Sequence, residues 1–523
     1  MSYAGKTFLL PFNLGGLNHN PNIDMIPPEA MVHPSRNINI HEGGRGPRGG
    51  TDKVNAGAAY GGAQITGGFD FRLNNGNQFQ VVTTADGKIW KDGSTTIKTG
   101  LTINRFSSFT VMNNELYICN GANVPQVWDG AAGATSNLTL VPSDWTGSDF
   151  PQLMIVHGKG NSERLWAIMT SGNKVKNIYA SDLNDGVSEA DFSDANVLTF
   201  YIETGDGDGI TGGIEFGDRL IVFGKRRSYV IDDTDTNTDN WGYQQAQWDG
   251  GLATWRTIVK TSNDIICMME DGNIYSVSAV QEYGDYRRAS LTRPAHIDRW
   301  IIEFIKLSAI EDFHVVHDEE LRAIKFFMTR KGETQIDNAL VYFYDRGPME
   351  GWIPHDNQEN ASGYTASASW VYKVGAGDWE IRTGDYSGFV WKLETANNSD
   401  DSLAYYAGFK TPHLTYDNPR MTKKYRSGHL VTQPEGNFDV SMSLWINGEF
   451  QSTQTINLGG TGDLFGTGLF GTATFGGQEL IDTMYELGYV GIRIQKEYFN
   501  TNAGETFFMS SDMTDFQNLG VRP

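Results

Sequence analysis

Cysteine is almost missing from this 523-residue chain, with only Cys119 and Cys267 present. They lie far apart in the apolar stretches ELYICN and NDIICMM, so no disulfide framework holds the fold, and both read as reduced core thiols. Proline is sparse as well: with 61 Gly and 16 Pro the chain stays below the quarter or so that marks a disordered low-complexity sequence. Positive charge is the third shortage, because 41 Lys and Arg face 63 Asp and Glu and leave a net charge of −22. Proteins that grip nucleic acid gain most of their affinity from Lys and Arg displacing counterions, so this balance excludes stable DNA or RNA binding. It leaves open an acidic wall past which DNA slides without being held. No segment approaches the roughly 20 apolar residues that span a bilayer. The N-terminal MSYAGKTFLLPFNLGG has its apolar run broken by Pro11, too short for a secretory signal, so neither membrane insertion nor secretory export is expected.

What is present is enough to fold. Apolar residues make up 39% and aromatics 12% of the chain, and the length suits two to four domains with sizeable cores. Seven segments repeat one pattern, an apolar strand, a polar turn and a second strand carrying an aromatic, at Trp90, Trp128, Tyr179, Tyr229, Tyr275, Tyr342 and Trp391. The steps between these aromatics are 38, 51, 50, 46, 67 and 49 residues. Earlier strands join most units through tight turns, as in FTVMNNELYI and GIEFGDRLIVF, where Asn-Asn and Gly-Asp tolerate the positive φ of a hairpin. Three or four short antiparallel strands per 40–50 residues is the signature of a propeller blade. The expected fold is therefore all-β, a propeller of about seven blades over residues 61–398.

The ends break the rhythm. Residues 1–60 read as an extended arm with one strand followed by an irregular Gly-rich passage, and an N-terminal strand is expected to close the ring against the final blade, which removes an open sheet edge. After TANNSDDS, residues 399–523 carry strands of a different rhythm and are expected to form a β-sandwich-like domain. Within it the stretch 459–477, GGTGDLFGTGLFGTATFGG, spaces Leu464, Phe465, Leu469, Phe470 and Phe475 among glycines. Either this is an exposed loop whose aromatics contact a partner or lipid, or it folds back on its own domain. Helix is scarce, with RWIIEFIKL near 299–307, entered through Asp298, the best candidate.

No motif demands catalysis, cofactor or metal. G-x-G-x-x-G occurs at Gly44, Gly207 and Gly466, never between a strand and a helix, and reads as turns. His314 and His317 are three apart in a strand and point to opposite faces, which disfavours a shared metal. The run Asp233, Asp235, Asn237, Asp239 lacks the sixth-position Gly and twelfth-position Glu of a calcium loop. A glycan-cleaving propeller needs paired carboxylates roughly 5–10 Å apart, and sequence does not say which of the 63 acids meet. Lys225-Arg226-Arg227 and Lys423-Lys424 with Arg426 are short and diluted by acid, as at turns or interfaces.

Two stretches carry a resemblance. MIPPEAMVHPSRNINIHEGGRGPRGGT (25–51) is similar to the opening of a group of bacteriophage tail proteins, the match lying on Arg36, Asn37, Gly43, Gly44, Arg48, Gly49 and Thr51. Residues 250–292, with Asp-Gly-x-x-Tyr at 271–275, look like a blade of the same proteins, and the ending LGVRP is also familiar there. The family is that of the tail nozzle, or packaged-DNA stabilisation, protein of short-tailed phages. The resemblance covers the arm and the propeller; the Gly-rich loop lies outside it. It implies a non-enzymatic virion protein, assembled in the host cytoplasm as a ring, with six copies expected. The ring would sit below an adaptor at the portal vertex, near tail fibres, and would retain packaged DNA and pass it on infection. A receptor-binding or glycan-cleaving propeller at the tail tip is the alternative expectation.

Overall fold

A computed structural model describes residues 5–54, 60–158, 163–186, 189–205, 207–248, 250–280, 285–357, 362–375, 377–416, 418–433, 435–436, 438–458 and 480–521. Seven four-stranded antiparallel sheets follow one another along the chain. Their first strands are Ile65–Arg72, Ser108–Met112, Leu153–His157, Ile210–Phe216, Ile258–Lys260, His314–Asp318 and Ala368–Lys373. Hairpin turns work as their residues require: Asn113 and Asn114 adopt φ of 53° and 61°, Gly217 and Asp218 59° and 61°.

Strand alternation turns this string of sheets into a ring. In the third sheet Leu165 and Ala167 pack toward the second sheet, whereas Trp166 and Ile168 pack toward the fourth. Each neighbouring pair of sheets encloses a hydrophobic cluster of this kind, and Trp370 and Val390 of the seventh sheet meet Ile65 and Val82 of the first. The fold is a β-propeller. All seven recurring aromatics stand on the third strand of their sheets. Six of them, Trp90, Trp128, Tyr179, Tyr229, Tyr275 and Tyr342, pack into the interface with the preceding sheet. A large ring recurs because each wedge between blades needs the same filling.

The N-terminal segment is shared out among sheets. Gly50–Lys53 becomes the fourth strand of the seventh sheet, paired antiparallel with Val390–Thr395. Lys6–Pro11 pairs with Phe508–Val521, Val32–Arg36 with Ala407–Lys410, and the hairpin Ile38–His41/Gly44–Pro47 joins Phe508–Val521 at Arg45. These strands complete two C-terminal sheets of seven and five strands. The core between them, including Phe12, Leu430, Met442 and Tyr498, is continuous with Val341 and Phe343 of the sixth blade. The helix runs Ile297–Phe304 and is entered through His296 in the left-handed region, so Asp298 lies inside the first turn instead of preceding it. Its Trp300 and Ile301 pack on the fifth and sixth sheets.

Candidate functional site

The axis of a propeller is where its blades converge, and here the seven first strands bring side chains together. Two cavities lie along it, of about 360 and 350 Å³, and both are lined by Trp255 and Arg256. Arg256 forms the waist. Its guanidinium lies 3.6 Å from the centre of the Phe106 ring, Nη1 donates to the Asp312 carbonyl at 2.8 Å, and Nη2 donates to the Ser367 carbonyl. Burial lowers its pKa to about 10, which leaves it charged at neutral pH. His314 faces the same channel. Its Nε2 donates to the Ala366 carbonyl at 3.1 Å and its Nδ1 accepts from the Ser369 hydroxyl at 2.8 Å, while the ring stacks on Phe327. Burial, seconded by Arg256, holds its pKa well below the ordinary histidine value. One engaged cation and one neutral, fully bonded imidazole do not make an acid–base pair. His317, three residues on, points away and is only partly buried.

Glycine makes the convergence possible. A Cβ at Gly68 would stand 2.3 Å from Trp370 Cε3, and one at Gly213 2.5 Å from Ile168 Cδ1. Both belong to an Ile-Thr-Gly-Gly sequence that opens the first strand of the first and fourth sheets, at 65–68 and 210–213. That repeat went unread in the sequence, where it could have marked two strands of the axis.

The N-terminal residues that carry part of the phage-tail resemblance sit at the junction of arm, sixth blade, seventh blade and C-terminal sheets, whereas residues 250–292 belong to the fifth blade. Arg48, wholly buried, donates through Nη1 and Nη2 to the two oxygens of Asp400 at 3.0 and 2.7 Å. Its Nε donates to Asn37 Oδ1 at 2.9 Å, and the guanidinium lies between the rings of Tyr405 and Tyr364, 3.9 and 4.4 Å away. Thr51 Oγ1 adds a bond to Asp400 at 3.0 Å. Gly44 and Gly49 leave no room for a side chain: added Cβ atoms would meet Met509 O at 2.1 Å and Glu394 Cα at 2.5 Å. Lys325 pairs with Glu394 at 2.7 Å and Asp318 at 3.1 Å beside this cluster. Burial alone would raise the Glu394 pKa, but Lys325, His355 and Arg48 outweigh it and hold the carboxyl far below its usual range. The arrangement welds the arm to the propeller.

The other candidates separate cleanly. Asp235 Oδ1 and Asn237 Oδ1 accept backbone N–H bonds from Asn237 and Asp239, so these members of the acidic run shape a turn. Lys423 is buried and donates to the carbonyls of Asn418 and Met421, while Lys225 lines the upper axial cavity and pairs with Glu270 at 3.5 Å. Leu464, Phe465, Leu469, Phe470 and Phe475 lie outside the described residues. Both cysteines are buried and free, and burial pushes their thiols up. Among the described residues, seven cations and seven carboxylates are buried, so burial draws equally on both signs and leaves the acidic excess at the surface. Three apolar side chains break that surface: Leu9, Met513 and Met484 are in register with His429, which bonds Asp482 at 3.0 Å, across four strands of the seven-stranded sheet, with Leu9 56% and Met484 62% exposed.

Comparison with known proteins finds distant structural likeness only. No protein-family profile and no curated protein matches the chain. Among solved structures, BBS1N in complex with ARL6DN aligns over 69% of this chain and 97% of its own, at 12% identity and TM-score 0.40. The WD40 domain of Neurospora crassa Pan2 aligns over 67% and 97%, at 11% identity and TM-score 0.36. The AfRom2 CNH domain aligns over 66% and 98%, at 8% identity and TM-score 0.38.

Proposed function

We propose that this chain is a structural ring subunit of a bacteriophage tail, a nozzle that continues the DNA channel, retains the packaged genome and passes it on infection. The observation that carries the reading is the distribution of charge. The buried cations Arg48, Lys325 and Lys496 are bonded to Asp400, Glu394 and Asp512, and the surface keeps the acidic excess. Such a surface repels phosphate over roughly a Debye length, about 8 Å at physiological salt, and offers DNA a wall without a grip. The N-terminal residues on which the resemblance to tail nozzle proteins lies help weld arm, blades and C-terminal sheets, which supports an architectural reading of that resemblance. A stiff subunit is what a ring under load requires. The apolar side chains Leu9, Met513 and Met484 supply a surface for contacts between copies. Neighbours in this role are an adaptor ring above and tail fibres beside, and the location is the virion tail after assembly in host cytoplasm.

Negative-stain imaging of the purified protein, with a mobility-shift assay on duplex DNA at low salt, tests the proposal. Rings with no DNA retardation are expected. A particle that stays monomeric and releases reducing sugar from host surface polysaccharide would replace the nozzle with a glycan-cleaving tail-tip propeller.

A further inference from the structure

A cavity of about 410 Å³ lies where four parts of the chain meet, away from the axis and beside the Arg48 cluster, with which it shares Asp356. The helix contributes Trp300 and Phe304, the arm strand His33 and Pro34, the sixth sheet Asn338, and the five-stranded C-terminal sheet and its approach Glu497 and Tyr406. Its size is that of small-molecule sites, and part of its wall is aromatic: His33 stacks on Phe304 with centroids 4.4 Å apart, and Tyr406 carries Arg36 over its face at 4.7 Å.

The polar groups divide into two sets. The charged ones are engaged with one another. Arg330 bonds Asp337 at 2.6 Å and reaches Asp356 at 3.5 Å, Arg36 Nε lies 3.6 Å from Asp356, and Tyr406 donates to Glu497 at 2.7 Å. The neutral ones are not. Asn338 is 1% exposed, and neither Oδ1 nor Nδ2 of its amide has a hydrogen-bond partner; Trp300 is 3% exposed, and its indole N–H has none either. Buried polar groups are almost always paired, so an amide orphaned at both ends beside an orphaned indole N–H, both on residues that line a cavity, points to a partner the described residues do not supply.

We propose that this cavity binds a neutral purine base or nucleoside. An amide offers one donor and one acceptor side by side, which matches the amino group and ring nitrogen on the edge of a purine, and the indole N–H serves a further ring nitrogen. The aromatic walls suit a flat ring, since base–aromatic stacking is a general mode of base recognition. An ionised ligand would find the charges already neutralised. A hexose would bury more hydroxyls than the three unpartnered groups can satisfy.

Titration of the full chain with adenosine, guanosine, cytidine and uridine, and with methyl glucoside as the saccharide probe, tests this by calorimetry and tryptophan fluorescence. Saturable binding of a purine nucleoside is expected, weakened at least tenfold in Asn338→Leu and changed in its fluorescence response in Trp300→Phe. Should Asn338→Leu fail to fold, Asn338→Ser replaces it, and the wild-type titration already decides. No nucleoside binding at millimolar concentration, preference for the glucoside, or purine binding that both variants leave unchanged would overturn the proposal.

Discussion

Replacing Arg48 by Met tests the weld between arm and propeller, because it removes one charge and leaves the other buried. Asp400 is wholly buried; without the guanidinium it keeps only neutral donors, Thr51 Oγ1 at 3.0 Å and Asn357 Nδ2 at 2.7 Å. The carbonyls of Gly49 and Asp356 and the amide oxygen of Asn37 lose donors at the same time. Breaking a buried pair from one side costs about 3–5 kcal/mol, whereas replacing both partners by apolar groups of similar volume is often close to neutral. Arg48→Met and Asp400→Leu are each expected to fall in that range, and the double variant to lose much less than their sum, with a coupling of at least about 2 kcal/mol. Equilibrium urea unfolding of the four proteins, followed by tryptophan fluorescence, measures the cycle. Single losses below about 1 kcal/mol that add within about 0.5 kcal/mol would refute the weld.

Gly68→Ala places a Cβ 2.3 Å from the Trp370 ring, and overpacking of this kind is expected to cost about 1–3 kcal/mol in the same unfolding assay. Stability is expected to fall on acidification before the carboxylates titrate. Burial holds the His355 pKa down to about 3 and that of His314 well below its ordinary value, while both return to about 6.5 on unfolding. Their contribution is complete above pH 6.5 and shrinks as pH falls toward the folded value, by about 2 kcal/mol for His355 at pH 5, with His314 acting in the same direction. Glu394, whose pKa is depressed, adds a separate loss only below the ordinary carboxylate range. Urea midpoints at pH 7 and 5 check this, and equal midpoints would contradict it. Leu9→Asp with Met484→Asp is expected to reduce ring formation at a given concentration while circular dichroism stays unchanged.

Much of the propeller was legible because its signal is local. The third-strand aromatics recur at 46–51 residues in four of six steps since each blade wedge needs the same filling, and the Asn113-Asn114 and Gly217-Asp218 turns announce their positive φ. The helix start was displaced because Asp298 reads as a cap, yet the chain enters through His296 in the left-handed region. The Arg48 contacts were hidden for another reason. Asp400 lies 352 residues away, and nothing in a single sequence links two charges at that distance. The sharing of N-terminal strands with the C-terminal sheets has the same origin, as Leu9 and Met513 pair from opposite ends of the chain. Asn338 carried no sequence signal at all; its significance comes from burial without a partner.

A reconstruction of the assembled particle by cryo-electron microscopy tests the central claim most directly. The account predicts a closed ring whose aperture is lined by surface carboxylates, with Arg48, Lys325 and Lys496 sealed inside each subunit. An aperture lined by Lys and Arg side chains, or a protein that never leaves the monomer, would contradict it.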